Sequence, residues 1–184
     1  MVLLAGLQVK VIGTRHYVLI GHSLGAIKSL FYQASRQRSD IAGVISCSAP
    51  KLFYSAREQE QQDFSKRMAE AQTLQAAGRG EEFLWAPTGS ALGLFTARTY
   101  VNKYGRDERS DVRPHAARLG CPLLAIAGGA EHHPFFPIYA QELADTAGKD
   151  RGTCHIVTGA DHFYRGYESA LTDIIAHWIK GLNV

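Results

Sequence analysis

A G-x-S-x-G pentapeptide, Gly21-His22-Ser23-Leu24-Gly25, contains a serine whose surroundings are typical of a nucleophile. The apolar run Tyr17–Ile20 before it predicts a buried strand, and the apolar residues after it recur at helical spacing. A strand, a sharp turn and a helix together expose the serine hydroxyl above a sheet. Glycine suits positions 21 and 25, because side chains there would clash in so tight a turn.

A serine hydroxyl is a weak nucleophile at neutral pH, so a base must take its proton during attack. Histidine titrates near neutrality and can do so, and a carboxylate on its far ring nitrogen fixes the tautomer. The negative charge that develops on the substrate oxygen needs N–H donors, and the backbone N–H of Leu24 is well placed to be one. The serine motif therefore calls for an acid and a histidine further along the chain.

The rest of the chain predicts strands that alternate with helices, which is typical of a parallel sheet covered on both sides. The predicted strands are residues 16–22, 42–47, 122–127 and 154–157, and the predicted helices are residues 2–12, 24–36, 137–147 and 167–180.

Residues 51–113 break this rhythm, because helical periodicity recurs from Phe64 to Leu74 and near 96–104 while no strand is evident. We interpret this segment as a helical insertion, and insertions of this kind often cap an active site. Its aromatic residues are predicted to form the core of the cap, and some of them to line an apolar acyl pocket. They are Phe53, Tyr54, Phe83, Trp85, Phe95, Tyr100 and Tyr104.

With these features the chain resembles the α/β-hydrolase family of serine esterases, lipases and peptidases, whose triad runs in the order serine, acid, histidine. Ser23 matches the nucleophile. The family's acid follows the strand after the cap in a P-x-L-x-x-x-G-x-x-D pattern, and the run Pro122–Glu131 places Glu131 there, where aspartate is commoner. The family's histidine lies in a G-x-x-H pattern, which Gly159–His162 matches, so the resemblance makes His162 the base.

The resemblance implies an α/β fold with an α/β-hydrolase-like parallel sheet of about four strands flanked by helices. Residues 1–50 and 114–184 would form this core, and residues 51–113 would form the helical cap. Only the C-terminal part of the family's fold is covered, because 22 residues precede Ser23, whereas further strands and the loop with the second oxyanion donor precede the nucleophile in the family. We expect a fragment, a gene that starts at an internal methionine, or a reduced descendant, and slow turnover in each case.

The missing neighbour strand would leave the apolar edge Tyr17–Ile20 open, which favours self-association. Other residues have alternative interpretations. Asp161 and Asp145 could replace Glu131 as the acid, although Asp161 adjoins the histidine and is poorly placed to face its ring. His22 is expected to pack or to hold the turn by hydrogen bonds. The pair His132-His133 could suggest a metal, but adjacent side chains in an extended loop diverge, so no metal is expected.

The composition of the chain indicates which other classes of protein are not expected. The chain has 184 residues, 46% of them hydrophobic, and a net charge of +3, which suits one globular domain and implies neither a nucleic-acid surface nor a membrane surface. Three cysteines without a C-x-x-C pair indicate free thiols in a reducing compartment. The apolar N-terminus is short and lacks a basic segment, so neither a signal peptide nor a membrane span is expected. The predicted location is the cytoplasm.

These observations predict a serine hydrolase that cleaves a carboxylic ester or a similar acyl bond of a small molecule through an acyl-enzyme, without a cofactor. Thioesters, amides and peptides remain alternative substrates, because fold and triad do not determine the substrate. The competing hypothesis is a truncated, non-catalytic hydrolase module that binds a ligand or a partner chain.

Overall fold

A computed structural model describes residues 8–10, 16–60, 63–87 and 92–182 of the chain. The chain divides into two compact units. The first comprises Met1–Pro50 with Val112–Val184, and the second is Lys51–Asp111.

Four parallel strands form the centre of the first unit. They are β2 (Tyr17–His22), β3 (Ile41–Cys47), β6 (Leu123–Gly128) and β7 (Gly152–Val157), adjacent to one another in that order. Almost every residue of β3 and β6 is buried, which explains why these segments read as continuous apolar runs in the sequence. The predicted four-stranded parallel sheet is confirmed.

A fifth strand, β1 (Gln8–Lys10), pairs antiparallel with β2, with Gln8 opposite Leu19 and Lys10 opposite Tyr17. The prediction of a helix over residues 2–12 is therefore wrong at these three positions, and its other positions lie outside the described residues. The error arises because a short apolar segment fits strand and helix periodicity equally well. The edge of β2 is paired with β1 and not open as predicted, and self-association stays a prediction.

The sheet is flanked by helices, and the described part of the first unit contains four. They are α1 (Leu24–Arg36), α5 (Arg113–Ala117), α6 (Phe135–Ala147) and α7 (Glu168–Lys180). Apolar residues of α7 pack on a core cluster that includes Ile45, Leu124 and Ile126. Gly43 makes room for this helix, because a Cβ at that position would lie 2.6 Å from the Trp178 ring. None of the described helices is both long and apolar enough to cross a membrane, and the three cysteines are free.

The turn between β2 and α1 contains the serine of the pentapeptide. Ser23 is the single residue between β2 and α1. Its φ is 53° and its ψ is −121°, a positive-φ conformation that residues other than glycine rarely adopt. A Cβ at Gly21 would overlap the carbonyl group of Gly25 and lie 2.6 Å from the nitrogen of Ala26. Glycine at position 21 therefore permits a close approach to the first turn of α1.

The second unit contains three helices and a hairpin among its described residues. They are α2 (Tyr54–Glu60), α3 (Phe64–Ala76), β4 (Phe83–Pro87), β5 (Leu92–Thr96) and α4 (Ala97–Tyr104). Helices near 64–74 and 96–104 are confirmed, but the expectation that the segment contains no strand is wrong, because β4 and β5 pair antiparallel. The sequence of β4 does not show the alternation of buried and exposed residues that is typical of a strand. Leu84 is buried and its neighbours Phe83 and Trp85 are exposed, yet all three are apolar.

Aromatic side chains form the core of this second unit, as predicted for most of them. Phe64, Tyr100 and Tyr104 are fully buried, and their ring centroids lie 5.0 to 6.2 Å apart. Phe83 and Trp85 are the exceptions, since 69% and 59% of their surfaces are exposed.

Gly21→Ala is expected to destabilise the first unit by at least about 3 kcal/mol, because the added methyl group meets backbone atoms that cannot move independently. Urea unfolding measures the effect. Gly181→Ala is the control, since a Cβ there would meet only the carbonyl oxygen of Trp178 at 3.4 Å, and its stability should stay within about 0.5 kcal/mol of wild type. Equal unfolding midpoints for Gly21→Ala and wild type would contradict the steric argument.

Candidate active site

Two loops at the carboxyl ends of β6 and β7 carry Glu131 and His162. The loops are bound to each other, because the N–H of Ala130 donates to the carbonyl of Ala160 at 2.9 Å. A Cβ at Gly128 would overlap the same carbonyl, so glycine permits this close approach. His162 Nδ1 lies 2.7 Å from Glu131 Oε2. A carboxylate only accepts, so Nδ1 carries the proton, and Nε2 of the neutral ring is left as an acceptor.

The Glu131 carboxylate is buried yet favoured in its ionised form. Its side chain has no exposed surface, and burial by itself raises the pKa of a carboxyl group. Hydrogen bonds from His162, from the hydroxyl of Ser48 and from the N–H of Gly128 outweigh burial, and they hold the pKa of Glu131 below its ordinary value. Glu131 is therefore negatively charged at neutral pH, the state that stabilises an imidazolium.

Ser48 and Tyr164 extend this pair, and sequence reasoning missed both residues. The Ser48 hydroxyl donates to Glu131 Oε1 at 2.5 Å and lies 2.7 Å from the hydroxyl oxygen of Tyr164. One signal could have indicated Ser48: it is a polar residue directly after the carboxyl end of a buried parallel strand, where ligand and catalytic groups gather in open α/β sheets. Tyr164, two residues after the histidine, has no comparable signal.

Four aromatic rings surround the imidazole of His162, with ring centroids 4.9 to 5.5 Å from its own. They leave 14% of its side chain exposed. The rings are those of His22, His132, Phe136 and Phe163. The imidazole is therefore mostly shielded from solvent, but part of it remains exposed.

Ser23 is half-buried at the end of β2, and the residue before it contacts the histidine loop. His22 Nε2 donates to the backbone carbonyl of His162 at 2.7 Å. His22 therefore ties the turn to the loop that carries the predicted base. Among the described residues, no hydrogen bond joins the hydroxyl of Ser23 to the His162 ring; bonds of this kind often tighten only when substrate binds.

The two alternative acids have other partners. Asp161 Oδ1 accepts from the backbone N–H groups of Arg165 and Phe163, at 3.1 and 2.9 Å, and these bonds lower the pKa of its carboxyl group. Asp145 lies on α6 and accepts from Gln141 at 2.8 Å. Of these acids, the one that the structure places against His162 is Glu131.

Glu131, His132 and His162 each offer one ligand atom within 4.8 Å of the other two, and they are the residues that could hold a metal ion in the described part of the chain. A metal ion at the carboxylate would compete with the hydrogen bonds that both of its oxygens already accept. The arrangement suits a carboxylate–imidazole pair better than a metal centre. His133 has a separate role, because its Nδ1 accepts from the N–H of Phe135 at 3.3 Å.

No protein-family model and no curated protein sequence matches the chain, but solved structures do. A monoacylglycerol lipase from Paleococcus ferrophilus is 18% identical with a TM-score of 0.57, and the match covers 86% of this chain and 67% of the lipase. A thermostable carboxyl esterase from Bacillus coagulans is 15% identical with a TM-score of 0.60, over 92% and 66%. An α/β hydrolase named MGS-MChE2, from a lagoon-sediment metagenome, is 11% identical with a TM-score of 0.54, over 91% and 63%.

The chain therefore has the α/β-hydrolase fold, and the fold predicted from the sequence is confirmed. It spans about two thirds of the length of the proteins that it matches.

Because the pKa of Glu131 is lowered in the folded chain, the free energy of unfolding at acidic pH should depend on this residue. A carboxyl group with a pKa lower in the folded chain than in the unfolded chain stabilises the fold fully above its unfolded value, about 4.3 for glutamate, and this contribution is lost as the pH falls through the folded value. Glu131→Gln should therefore lose less stability than wild type between neutral pH and pH values below about 4.3. Urea unfolding across this range measures the slope.

Glu168→Gln is the matched control for this pH series, since Glu168 is exposed at the start of α7. It should keep the slope of wild type. A Glu131→Gln slope equal to that of wild type would show that the buried carboxylate does not contribute in this way.

Proposed function

We propose that this chain is a serine hydrolase that cleaves a carboxylic ester or a similar acyl bond of a small molecule, with Ser23 as nucleophile, His162 as base and Glu131 as acid. The observation that carries the proposal is the 2.7 Å bond between His162 and Glu131. It lies at the carboxyl edge of the same sheet in which β2 ends at the strained Ser23. Carboxylate, imidazole and strained serine are the parts that nucleophilic acyl transfer requires.

In the first half of the proposed reaction, Ser23 Oγ attacks the acyl carbon while His162 Nε2 takes the hydroxyl proton. Glu131 stabilises the imidazolium through the Nδ1–H bond and does not itself take the proton. When the tetrahedral intermediate collapses, the bond to the leaving alcohol breaks and the imidazolium returns the proton to the alcohol oxygen. An acyl-serine ester remains.

In the second half, a water molecule attacks the acyl-serine, and His162 Nε2 takes a proton from that water. The second tetrahedral intermediate collapses with release of the carboxylic acid, and the imidazolium protonates Ser23 Oγ. The net change is addition of water across the acyl bond, so no cofactor is consumed.

The N–H of Leu24 is the proposed oxyanion donor. Leu24 is the first residue of α1, and the first N–H groups of a helix have no partner within it. The helix dipole adds a favourable field for negative charge at this position. A donor directed at the developing oxyanion contributes about 10²- to 10³-fold in rate.

The second unit, Lys51–Asp111, is the proposed substrate-selecting cap. Its chain leaves the first unit after Pro50 and returns at Val112, so it is an insertion between β3 and β6. The structural neighbours include a lipase, a carboxyl esterase and a proline iminopeptidase; we propose an ester as the substrate, with amides and peptides as the alternatives. The three free thiols favour a reducing compartment, and we place the protein in the cytoplasm.

Ser23 is expected to be the residue that a fluorophosphonate labels, because an imidazole-activated serine reacts with such reagents far faster than an ordinary hydroxyl. Intact-mass spectrometry should show one adduct on wild type and none on Ser23→Ala. Ser35→Ala, an exposed serine on the same helix, should label like wild type. Equal labelling of wild type and Ser23→Ala would refute the nucleophile.

Two substitutions of Glu131 test separately the effect of its negative charge and the effect of its side-chain length. Glu131→Gln presents an amide to His162 Nδ1, which favours the wrong tautomer, so the kcat for p-nitrophenyl acetate should fall by roughly 10⁴-fold. Glu131→Asp keeps the charge, but one methylene less prevents simultaneous contact with Ser48 and His162, and we expect a loss of about 10²-fold. If Glu131→Asp matched wild type, the carboxylate would not need the position that it has here.

A further inference from the structure

Two buried hydroxyl groups lie behind the Glu131–His162 pair and have no part in the proposed reaction. Ser48 is completely buried, and 3% of the surface of Tyr164 is exposed. Ser48 follows β3, while Tyr164 lies in the loop after β7, so their hydroxyl groups meet across the edge of the sheet. We propose that Tyr164, Ser48 and Glu131 form a hydrogen-bond chain that orients the carboxylate toward His162, which makes Ser48 and Tyr164 positioning residues for the reaction proposed above.

The direction of each hydrogen bond in this chain follows from the chemistry of its acceptor. The ionised carboxylate of Glu131 can only accept, so the single proton of Ser48 points to Oε1. The Ser48 oxygen is then available as an acceptor, and the hydroxyl of Tyr164, 2.7 Å away, donates to it. Aligned donors of this kind polarise one another and strengthen the last bond in the row.

The carboxylate needs such support because the acid is a glutamate. Its terminal torsion is broad and nearly free in the absence of partners, and the extra methylene gives the group more positions than an aspartate has. Ser48 and the N–H of Gly128 both donate to Oε1, at 2.5 and 3.0 Å, while Oε2 faces His162. Without Ser48, a single donor would hold Oε1, and the plane of the carboxylate could turn away from Nδ1.

The backbone supports this assignment. Ser48 and Tyr164 have φ values of 50° and 56°. This backbone conformation is unfavourable for residues other than glycine, and it is retained only where the surrounding structure requires it. Simple burial of a serine near the end of β3 does not explain the contact. Ser46, two residues earlier, is also buried, and among the described residues its hydroxyl has no hydrogen-bond partner.

A double-mutant cycle distinguishes positioning from a purely structural role. In the wild-type background, Ser48→Ala should lower the kcat for p-nitrophenyl acetate by about 10- to 100-fold, the effect of one hydrogen bond to a charged group, with KM nearly unchanged. In a Glu131→Ala background the same substitution should change kcat less than about twofold, because the group that it positions is absent. A similar loss in both backgrounds would overturn the proposal.

Tyr164→Phe and Ser46→Ala complete the series. Tyr164→Phe keeps the ring and removes only the hydroxyl, so it should cost about 3- to 10-fold in kcat and add nothing when Ser48 is already alanine. Ser46→Ala removes a buried hydroxyl that has no hydrogen-bond partner among the described residues, and it should leave kcat unchanged. If circular dichroism shows that Ser48→Ala does not fold, the same cycle with Tyr164→Phe and Glu131→Ala decides the question.

A proton NMR measurement tests the same chain of bonds without any activity. The Nδ1 proton of His162, bonded to a carboxylate, should give a downfield resonance that moves upfield or broadens in Ser48→Ala and stays in place in Ser46→Ala. An unmoved resonance in Ser48→Ala would refute the positioning role. If wild type neither hydrolyses esters nor labels with a fluorophosphonate, the proposed function fails, and this resonance still decides whether Ser48 orients Glu131.

Discussion

The hydrogen bond between a buried, ionised Glu131 and His162 is the interaction on which the rest of the site depends. A charge is costly to bury, and here it is stabilised by three donors from three parts of the chain: Ser48 after β3, Gly128 at the end of β6, and His162 after β7. These donors converge because parallel strands present their carboxyl ends at one edge. The sheet therefore determines where a carboxylate can stay charged, and the carboxylate determines the orientation of the imidazole.

The turn at Ser23 imposes the second constraint, and it is steric. A positive φ at a serine costs free energy, and the turn brings the backbone of Gly25 so close to residue 21 that only glycine fits there. Packing of α1 against β2 and β3 compensates for this cost. His22 donates a hydrogen bond to the backbone carbonyl of His162, so it links the strained turn at Ser23 to the buried carboxylate–imidazole pair.

The parts that could be predicted from the sequence are those whose signal is local. Continuous apolar runs predicted β3 and β6, because a strand buried on both faces needs apolar side chains at every position. The sequence singles out Ser23, Glu131 and His162 as candidates because each follows a strand within a short pattern. The sequence does not reveal β1, because three residues are too few to distinguish the two-residue period of a strand from the 3.6-residue period of a helix. It does not reveal the β4–β5 hairpin either, because the apolar residues there lie on both faces and show no alternation. Ser48 and Tyr164 were missed for another reason: they are 116 residues apart, and no local pattern records such a contact.

The contact between Ser48 and Tyr164 bears on how a glutamate could serve as the proposed acid, where aspartate is commoner in the α/β-hydrolase family. The longer side chain reaches further but is less ordered, so the same hydrogen bond to a histidine costs more conformational entropy. A donor fixed on β3 and another at the end of β6 remove that freedom before substrate arrives, and they also offset the desolvation that would otherwise raise the pKa of the carboxyl group. One set of hydrogen bonds thus supplies both orientation and charge. The choice of acid and the polar residues behind it are therefore best understood as a single unit, in which changing one alters what the other must provide.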